Sequence, residues 1–162
     1  MGMKYIQSWS GGKDSTASVV LEHTKGTQHP PSDVVLAEVM FDNKRGISGE
    51  HPEHIEWIYE KAKPIFESWG HKVEVVRSNK DYLDNFFFII SKGAGNGKLR
   101  GFPVGRFCNI NRDCKTKTIT NYIKRLGVCC TQYIGIAADE PNRLRSLSGN
   151  RTSLLALHGI AE

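Results

Sequence analysis

The fold follows first from the sequence Lys4-Tyr-Ile-Gln-Ser-Trp-Ser-Gly-Gly-Lys-Asp-Ser-Thr-Ala-Ser-Val-Val-Leu21. Residues 4–10 are rich in β-forming side chains and predict a short strand. A pair of glycines interrupts this strand, and the residues that follow, 13–23, predict a helix. A strand, a glycine turn and a helix in direct succession are typical of the first unit of a parallel sheet.

The rest of the chain continues this alternation. Further strands are predicted over residues 34–41, 72–77 and 131–136, and further helices over residues 52–69, 81–92 and 113–126. We expect Pro64 to kink or split the second helix, and Asp113 to cap the fourth. Residues 93–105 carry five glycines and predict a loop. Together these elements predict an α/β protein, a Rossmann-like parallel sheet with helices on both faces, whose ligand lies at the carboxyl ends of the strands.

Length and composition are those of one globular domain. The chain has 162 residues, of which 39% are hydrophobic and 24% are charged, so neither a disordered chain nor a coiled coil is expected. A single nucleotide-binding domain is predicted over residues 1–162. No apolar run approaches the ~20 residues of a membrane span, and residues 1–10 show no secretory signal. We therefore expect a cytoplasmic protein without a membrane partner.

The net charge and the cysteine content narrow the classes of ligand and site that are expected. The formal net charge is +5 and the sequence pI is about 9.1, which favours anionic ligands such as nucleotides, sulfate or RNA. Four cysteines without an export signal indicate free thiols or a metal site in a reducing compartment. Cys108 has two arginines nearby in sequence that favour a thiolate, so it is a candidate reactive thiol, with Cys114 as the alternative. His51 and His54 lie near the start of the second predicted helix, where a solvated surface is favoured over a metal site.

The glycine pair lies in the segment with the most chemistry, Ser10-Gly11-Gly12-Lys13-Asp14-Ser15. Glycines let backbone N–H groups approach a polyanion, and the helix N-terminus adds unpaired donors and the positive end of its dipole. Ser10 and Ser15 add hydroxyl donors and Lys13 adds a positive charge, whereas Asp14 suits a metal ion or fixes the loop. The segment matches neither the Walker A pattern nor G-x-G-x-x-G. A glycine turn before an ordinary helix cap is the alternative interpretation.

This segment resembles the PP-loop signature of the ATP pyrophosphatases and of the phosphoadenylylsulfate (PAPS) reductase-like proteins. Three further segments, within residues 4–147, are similar to family segments: Phe41-Asp42 with Glu50, Pro52 and Glu53; Gly101-Phe102-Pro103 with Arg106, Cys108 and Lys115; and Gly135 to Glu140 with Arg143. The similarity points to the PAPS reductase-like branch, in its short phage and prophage form.

The resemblance implies an adenine nucleotide α-hydrolase-like fold whose ligand is ATP, PAPS or adenylylsulfate (APS). It implies that Met40 and Phe41 lie near the adenine, that Arg143 contacts the anion, and that Asp14 and Asp42 hold Mg²⁺ if the ligand is ATP. The phosphate or sulfate end is expected on Ser10, Gly11, Gly12, Lys13, Asp14 and Ser15. The residues expected to act in catalysis are Lys13, Asp14, Cys108 and Lys115.

Three functions stay open at this point. An ATP pyrophosphatase would adenylate a second substrate, with tRNA as one candidate. A sulfonucleotide reductase would need a thiol or thioredoxin-like donor. A non-catalytic nucleotide-binding or phage interaction protein would bind its ligand without turnover. The basic, glycine-rich residues 92–117 predict a mobile loop, a lid over the anion or a path for RNA.

Three features depart from the family pattern. The C-terminal Glu-Cys-Gly segment of PAPS reductases has no counterpart, so we expect a shortened protein or chain, or an oligomer in which a neighbouring subunit supplies this region. Ala137 stands where the family usually has an arginine. Cys129 and Cys130 have no later C-x-x-C partner, so an iron–sulfur cluster is not expected.

Overall fold

A computed structural model of the chain describes residues 2–103 and 108–161. The strands are β1 Lys4–Trp9, β2 Asp33–Glu38, β3 Met40–Asp42, β4 Ile47–Ser48, β5 Val73–Arg77, β6 Cys130–Ile134 and β7 Arg151–Thr152. The α-helices are α1 Lys13–Lys25, α2 Pro52–Trp57, α3 Lys63–Ser68, α4 Tyr82–Phe86, α5 Lys117–Leu126, α6 Pro141–Arg145 and α7 Leu154–Leu157. Two π-helical turns, Ile58–Ala62 and Asn111–Thr116, precede α3 and α5.

Five of the strands form one parallel sheet in the order β5-β2-β1-β6-β7. The chain builds outward from β1 to β2 and β5, and then returns to the other side of β1 with β6 and β7. The strand order therefore reverses between β1 and β6, and their carboxyl ends flank the crevice where ligands of open α/β sheets bind. The predicted α/β, Rossmann-like fold class is confirmed.

Each face of the sheet carries a hydrophobic core. On one face, Trp9, Val34 and Leu36 pack against α1 and against the helical run of α2 and α3. On the other, Ile6 and Val35 pack against the apolar side of α5. In the described part of the chain no helix is long and apolar enough to cross a bilayer.

The second predicted strand is shorter than expected. Residues 34–41 were expected as one strand, but β2 ends at Glu38, and β3 pairs antiparallel with β4 in a separate small sheet. The carbonyl of Val39 accepts a hydrogen bond from the N–H of Gly49, at 2.8 Å. This contact takes the chain out of the large sheet, so the residues after Val39 form a hairpin at its carboxyl edge.

Of the two effects expected of Pro64, a kink or a split of the second helix, the structure shows a division into α2 and α3 by a π turn. The helical run extends from Pro52 to Ser68, and the interruption before Pro64 is the π turn, in which the Lys63 N–H donates to the Ile58 carbonyl. A proline supplies no N–H group, so a helix has to change its hydrogen bonding next to it.

Two other helix predictions are wrong in part. The helix expected over 81–92 ends at Phe86, and the chain then turns back on itself, with the Ile90 N–H donating to the Lys98 carbonyl at 2.9 Å. Aromatic and β-branched residues fill positions 86–90, and they favour extended backbone. Asp113 was expected as a helix cap, but the helix begins before it, at Asn109, and Asp113 lies inside the π turn.

Candidate functional site

The loops that follow β1 and β6 meet at the point where the strand order reverses. Gly135 comes directly after β6 and faces the first turn of α1, so closely that a Cβ atom there would overlap the backbone of Asp14 and Ser15. The loop Ser10–Ser15 is therefore held from the β6 side. Two segments that the sequence analysis assigned to one site are brought together at this place.

Within the loop, two hydroxyl groups close a ring of hydrogen bonds. The Ser15 hydroxyl donates to the Gly12 carbonyl at 3.1 Å and lies 3.0 Å from the Ser10 hydroxyl, which in turn accepts from the Gly12 N–H at 3.3 Å. The Ser10 N–H also donates to the Ser15 Oγ at 3.1 Å. The loop conformation is thus set by its own side chains before any ligand binds.

The N-terminus of α1 presents backbone hydrogen-bond donors at this loop. Gly12 is the N-cap in an extended conformation, and no side chain caps the helix there. The first N–H groups of a helix have no partner within it, and the helix dipole makes this end positive. The Lys13 ammonium lies 4.0 Å from the Asp14 carboxylate, so the two side chains form an ion pair at the same end.

His54 also borders the loop, a position that the sequence analysis did not assign to the site. A Cβ atom on Gly11 would collide with Nε2 of the His54 ring and come within 3.2 Å of Ile58 Cδ1. Gly11 has a φ of +75°, so glycine is required there both by conformation and by the close histidine. The spacing carried a signal, because His54 lies four residues before the fully buried Ile58 and so shares its helix face.

A buried polar network fixes α1 against β1. The Glu22 carboxylate accepts from the Gln7 amide at 2.7 Å, from the Ser32 hydroxyl at 2.6 Å and from the Ser32 N–H at 2.8 Å. The Ser18 hydroxyl donates to the Gln7 amide oxygen at 2.9 Å. All four side chains are buried, so α1 and the loop at its N-terminus are anchored to the sheet. Sequence reasoning missed this network because its members are far apart in the chain.

Two further predicted site residues, Lys115 and Arg143, are cations that are each held by a carboxylate. Lys115 Nζ lies 3.2 Å from the Glu50 carboxylate. Arg143 donates to both oxygens of Glu140 at 2.6 Å, and this arginine lowers the pKa of the Glu140 carboxyl. Glu140 also accepts a hydrogen bond from the N–H of Ala137 at 3.2 Å. Both cations therefore face a carboxylate partner in this structure.

The residues expected near an adenine differ in exposure. Met40 is buried, whereas the Phe41 ring is 40% exposed and stacks on Tyr82 with the ring centres 5.5 Å apart. The neighbouring Asp42 carboxylate accepts from the N–H groups of Lys44 at 2.9 Å and Arg45 at 3.1 Å. Asp42 thus stabilises the turn between β3 and β4. Asp14 lies in the first turn of α1, beside the loop, and Mg²⁺ usually takes one or two carboxylates together with substrate phosphates.

A groove of about 670 Å³ opens on the α5 side of the sheet. Ser8 and Ile134 line the groove near the carboxyl ends of β1 and β6. Lys115 lines it from the π turn that precedes α5. Its volume lies within the range of small-molecule sites. The groove therefore provides space beside the point where the strand order reverses.

The four cysteines do not come together. Cys108 is exposed, and Cys114 is fully buried, with its thiol donating to the Lys80 carbonyl at 3.3 Å. Burial raises the pKa of the Cys114 thiol to about 11, which disfavours Cys114 as the alternative reactive thiol. Cys129 and Cys130 lie at the opposite, amino-terminal edge of the sheet. Among the described residues, no three histidine, cysteine or carboxylate side chains are grouped as a metal site. Arg106 lies outside the described residues.

Comparison of the chain with protein-family models, with curated proteins and with solved structures finds no match.

Proposed function

We propose that this protein binds an adenine nucleotide at the carboxyl edge of the sheet, with the phosphate or sulfate end on the loop Ser10–Ser15. The observation that carries the proposal is the preformed loop itself. It lies where the strand order reverses, it is ordered by the Ser10 and Ser15 hydroxyls, and Gly135 packs against it without a side chain. A loop of this kind presents backbone donors to an anion at little further cost in conformational entropy.

The chain supplies three kinds of group for such an anion. The loop and the first turn of α1 provide N–H donors, Lys13 provides a positive charge, and the His54 ring places Nε2 beside Gly11. Mg²⁺ on Asp14 would neutralise part of the phosphate charge. At the other end of the ligand, the exposed face of Phe41 is available for stacking on the adenine, while the buried Met40 supports the strand beneath it.

Two reactions are compatible with this site. With ATP, cleavage between the α and β phosphates would transfer the adenylyl group to a second substrate and release pyrophosphate. With APS or PAPS, the Cys108 sulfur would bond to the sulfonate sulfur as its bond to the phosphate oxygen breaks, and a dithiol donor would then release sulfite and leave as its disulfide. The exposure of Cys108 favours including this second candidate. A protein that binds nucleotide without turnover is the third outcome.

The test is thermal stabilisation by ATP with magnesium, AMP, APS and PAPS in parallel. A ligand that binds only the folded state at ~100 times its dissociation constant stabilises it by about 2.7 kcal/mol. Preference for ATP directs the next assay to pyrophosphate release, and preference for APS or PAPS directs it to sulfite release. If none of the four ligands raises the melting temperature, the proposal is wrong.

A matched pair of variants locates the binding site on α1. Lys13 and Lys25 are exposed lysines at opposite ends of this helix. We expect Lys13→Ala to weaken binding about tenfold, since hydrogen bonds to charged groups contribute about 1.5–3 kcal/mol. Lys25→Ala removes the same charge at the far end of the helix and should leave the affinity unchanged. Equal effects of the two variants would contradict the assignment of the loop.

A further inference from the structure

A second groove lies at the carboxyl end of β5 and runs along α5. Its volume is about 550 Å³, and every residue that lines it is polar or charged. Five of these residues are cations: Arg77, Lys80, Lys117, Lys124 and Arg125. They come from three segments that are separated in the chain, namely the end of β5, the loop after it and α5. We call this feature the basic groove.

The carboxylates that pair with cations of the basic groove are buried. Asp113 lines the groove, but its side chain is only 5% exposed and lies 2.7 Å from Arg112 and 3.0 Å from Lys117. These two cations hold the pKa of the Asp113 carboxyl well below its usual range. Arg77 pairs at 2.7 Å with Glu38, whose side chain is 2% exposed. The surface that the groove presents to solvent is therefore positive.

Three of the five cations have no acidic partner. In the part of the chain that the structure describes, no carboxylate pairs with Lys80, Lys124 or Arg125. Unpaired cations that line one concave surface repel each other and attract an anion from solution. These three residues hold the charge that a bound anion would neutralise.

The walls of the basic groove are fixed to each other. The Ser78 hydroxyl donates to the Asp113 carbonyl at 3.2 Å, and the buried Cys114 thiol donates to the Lys80 carbonyl at 3.3 Å. The Asn85 amide donates to the Cys114 sulfur at 3.5 Å. The loop after β5 and the π turn before α5 are thus joined, which preorganises the groove.

The spacing of the cations suits a chain of phosphates better than one phosphate. Lys117 and Lys124 are seven residues apart on α5, which places them on the same side of the helix and roughly 10 Å apart along its axis. Asn121 lies between them and lines the same groove. A single phosphate group cannot contact both ends of this row, whereas successive phosphates of one strand can, with the asparagine available to a sugar or base.

From these observations we propose that the basic groove binds the phosphodiester backbone of a polynucleotide strand. This proposal goes beyond the nucleotide site and does not depend on it. Both features open at the carboxyl edge of the same sheet, and β2 alone separates β5 from β1, which corresponds to about 10 Å across the sheet. A strand bound in the groove therefore passes close to the loop Ser10–Ser15.

The test is fluorescence anisotropy with a labelled single-stranded RNA of twelve nucleotides and, in parallel, a twelve-base-pair RNA duplex. Binding is measured at several salt concentrations, because the slope of log affinity against log salt is about −0.7 for each phosphate that a protein neutralises on a single strand. The variant K124E/R125E reverses two unpaired groove cations. The control K25E/K61E makes the same charge change at exposed lysines on the opposite face of the sheet.

We expect the groove variant to lose at least about tenfold in affinity and its salt slope to become shallower by about 1.4, with the control close to the native protein. K124Q/R125Q, a milder variant, should show a smaller loss in the same direction if charge reversal impairs folding. Absence of RNA binding by the native chain, or equal losses in groove variant and control, would overturn the proposal. Equal competition by poly-glutamate would also overturn it, since the groove would then bind acidic polymers in general. Lys124 also lines the first groove, so thermal stabilisation by nucleotide is measured on R125E, whose side chain lines the basic groove alone, and this reports separately on the loop.

Discussion

A Cβ atom on Gly135 would lie 2.5 Å from the backbone nitrogen of Ser15 and 2.7 Å from the carbonyl carbon of Asp14. Both contacts are shorter than the 3.0 Å that Cβ atoms keep from other heavy atoms, and both are to backbone, which cannot swing aside. Gly135 does not have a positive φ. Close packing of the β6 loop on α1, and not a special backbone conformation, is therefore what requires glycine at this position.

The first prediction follows from this packing. Gly135→Ala should destabilise the protein by about 1–3 kcal/mol, as overpacking typically does, and should weaken nucleotide binding because the loop Ser10–Ser15 has to shift. Urea unfolding and ligand titration measure the two effects. Gly127→Ala is the control, because Gly127 has a φ of +64° in open space at the end of α5. Gly127→Ala should lower the free energy of unfolding by about 1–2 kcal/mol through backbone strain and leave the ligand affinity unchanged.

Removal of one hydroxyl group tests whether the loop is preorganised. Ser15→Ala breaks the contacts of Oγ with Ser10 and with the Gly12 carbonyl. We expect about 1–2 kcal/mol of lost stability and roughly tenfold weaker nucleotide binding, measured by calorimetric titration. The control is Ser68→Ala, which removes an exposed hydroxyl that donates to the Ile65 carbonyl at the end of α3. The nucleotide affinity of this control should be unchanged. Unaltered affinity in Ser15→Ala would mean that the ring of hydrogen bonds does not shape the site.

The first βα unit could be predicted from sequence because its determinants are local. The predicted strand and helix, 4–10 and 13–23, agree with β1 and α1 to within two residues at each end. A glycine pair between a β-forming run and an apolar helix face leaves few alternatives. The fold class followed for the same reason, since repetition of this unit requires a parallel sheet.

Elements that depend on distant partners could not be predicted in this way. The run Phe86 to Ile90 is as apolar as a buried helix, but the helix ends at Phe86, and residues 88–90 exchange backbone hydrogen bonds with the returning residues 98–101. Asp113 has the chemistry of a helix cap, but the same carboxylate forms a buried ion pair with Arg112 and Lys117. Whether such a carboxylate caps a helix or forms an ion pair depends on residues that are near it in space, and the local sequence does not show them.

In the candidate site, too, the features with local determinants could be predicted from sequence, whereas those that depend on distant residues could not. The loop Ser10–Ser15 was identified directly, because its glycines and hydroxyls are adjacent in sequence. The pairing of Lys115 with Glu50 joins residues 65 positions apart, and no spacing rule predicts it. His54 was expected on a solvated surface, and the structure shows it half-buried with its ring beside Gly11, on the helix face that it shares with Ile58.

The buried carboxylate of Glu22 yields a prediction about stability alone. Glu22→Gln replaces one acceptor oxygen by an N–H₂ group, which faces donors from Ser32 or Gln7 and leaves a buried donor unsatisfied. We expect a loss of about 1–3 kcal/mol in the free energy of unfolding, measured in urea. Glu56→Gln, on the exposed side of α2, makes the same chemical change and should have little effect. Equal stabilities of the two variants would show that the network does not anchor α1.

Thiol reactivity tests the assignment of the four cysteines. At pH 8 an aromatic disulfide reagent should react quickly with Cys108 and Cys129, which are exposed, and slowly with Cys114 and Cys130, which are buried. Burial raises the pKa of both slow thiols and so lowers their thiolate fraction. All four should react at once in denaturant. Rapid modification of Cys114 in the native protein would contradict its position beneath the loop after β5.

The same buried thiol makes stability depend on pH in the alkaline range. The pKa of Cys114 is raised from about 9 to about 11 in the folded protein, so between these values the unfolded chain releases this proton while the native state keeps it. By linkage the free energy of unfolding then falls as pH rises, from about pH 9 onward, with no contribution from this group at lower pH. Cys114→Ser retains a donor to the Lys80 carbonyl but does not titrate in this range, so its unfolding free energy should decline less steeply.

Tyrosines ionise in the same range in both proteins, so their contribution cancels in a comparison. The free energy of unfolding in urea is therefore measured for both proteins from pH 7 to pH 10.5, and the difference between the two pH curves isolates the thiol. Parallel curves would show that Cys114 is not held as a neutral thiol.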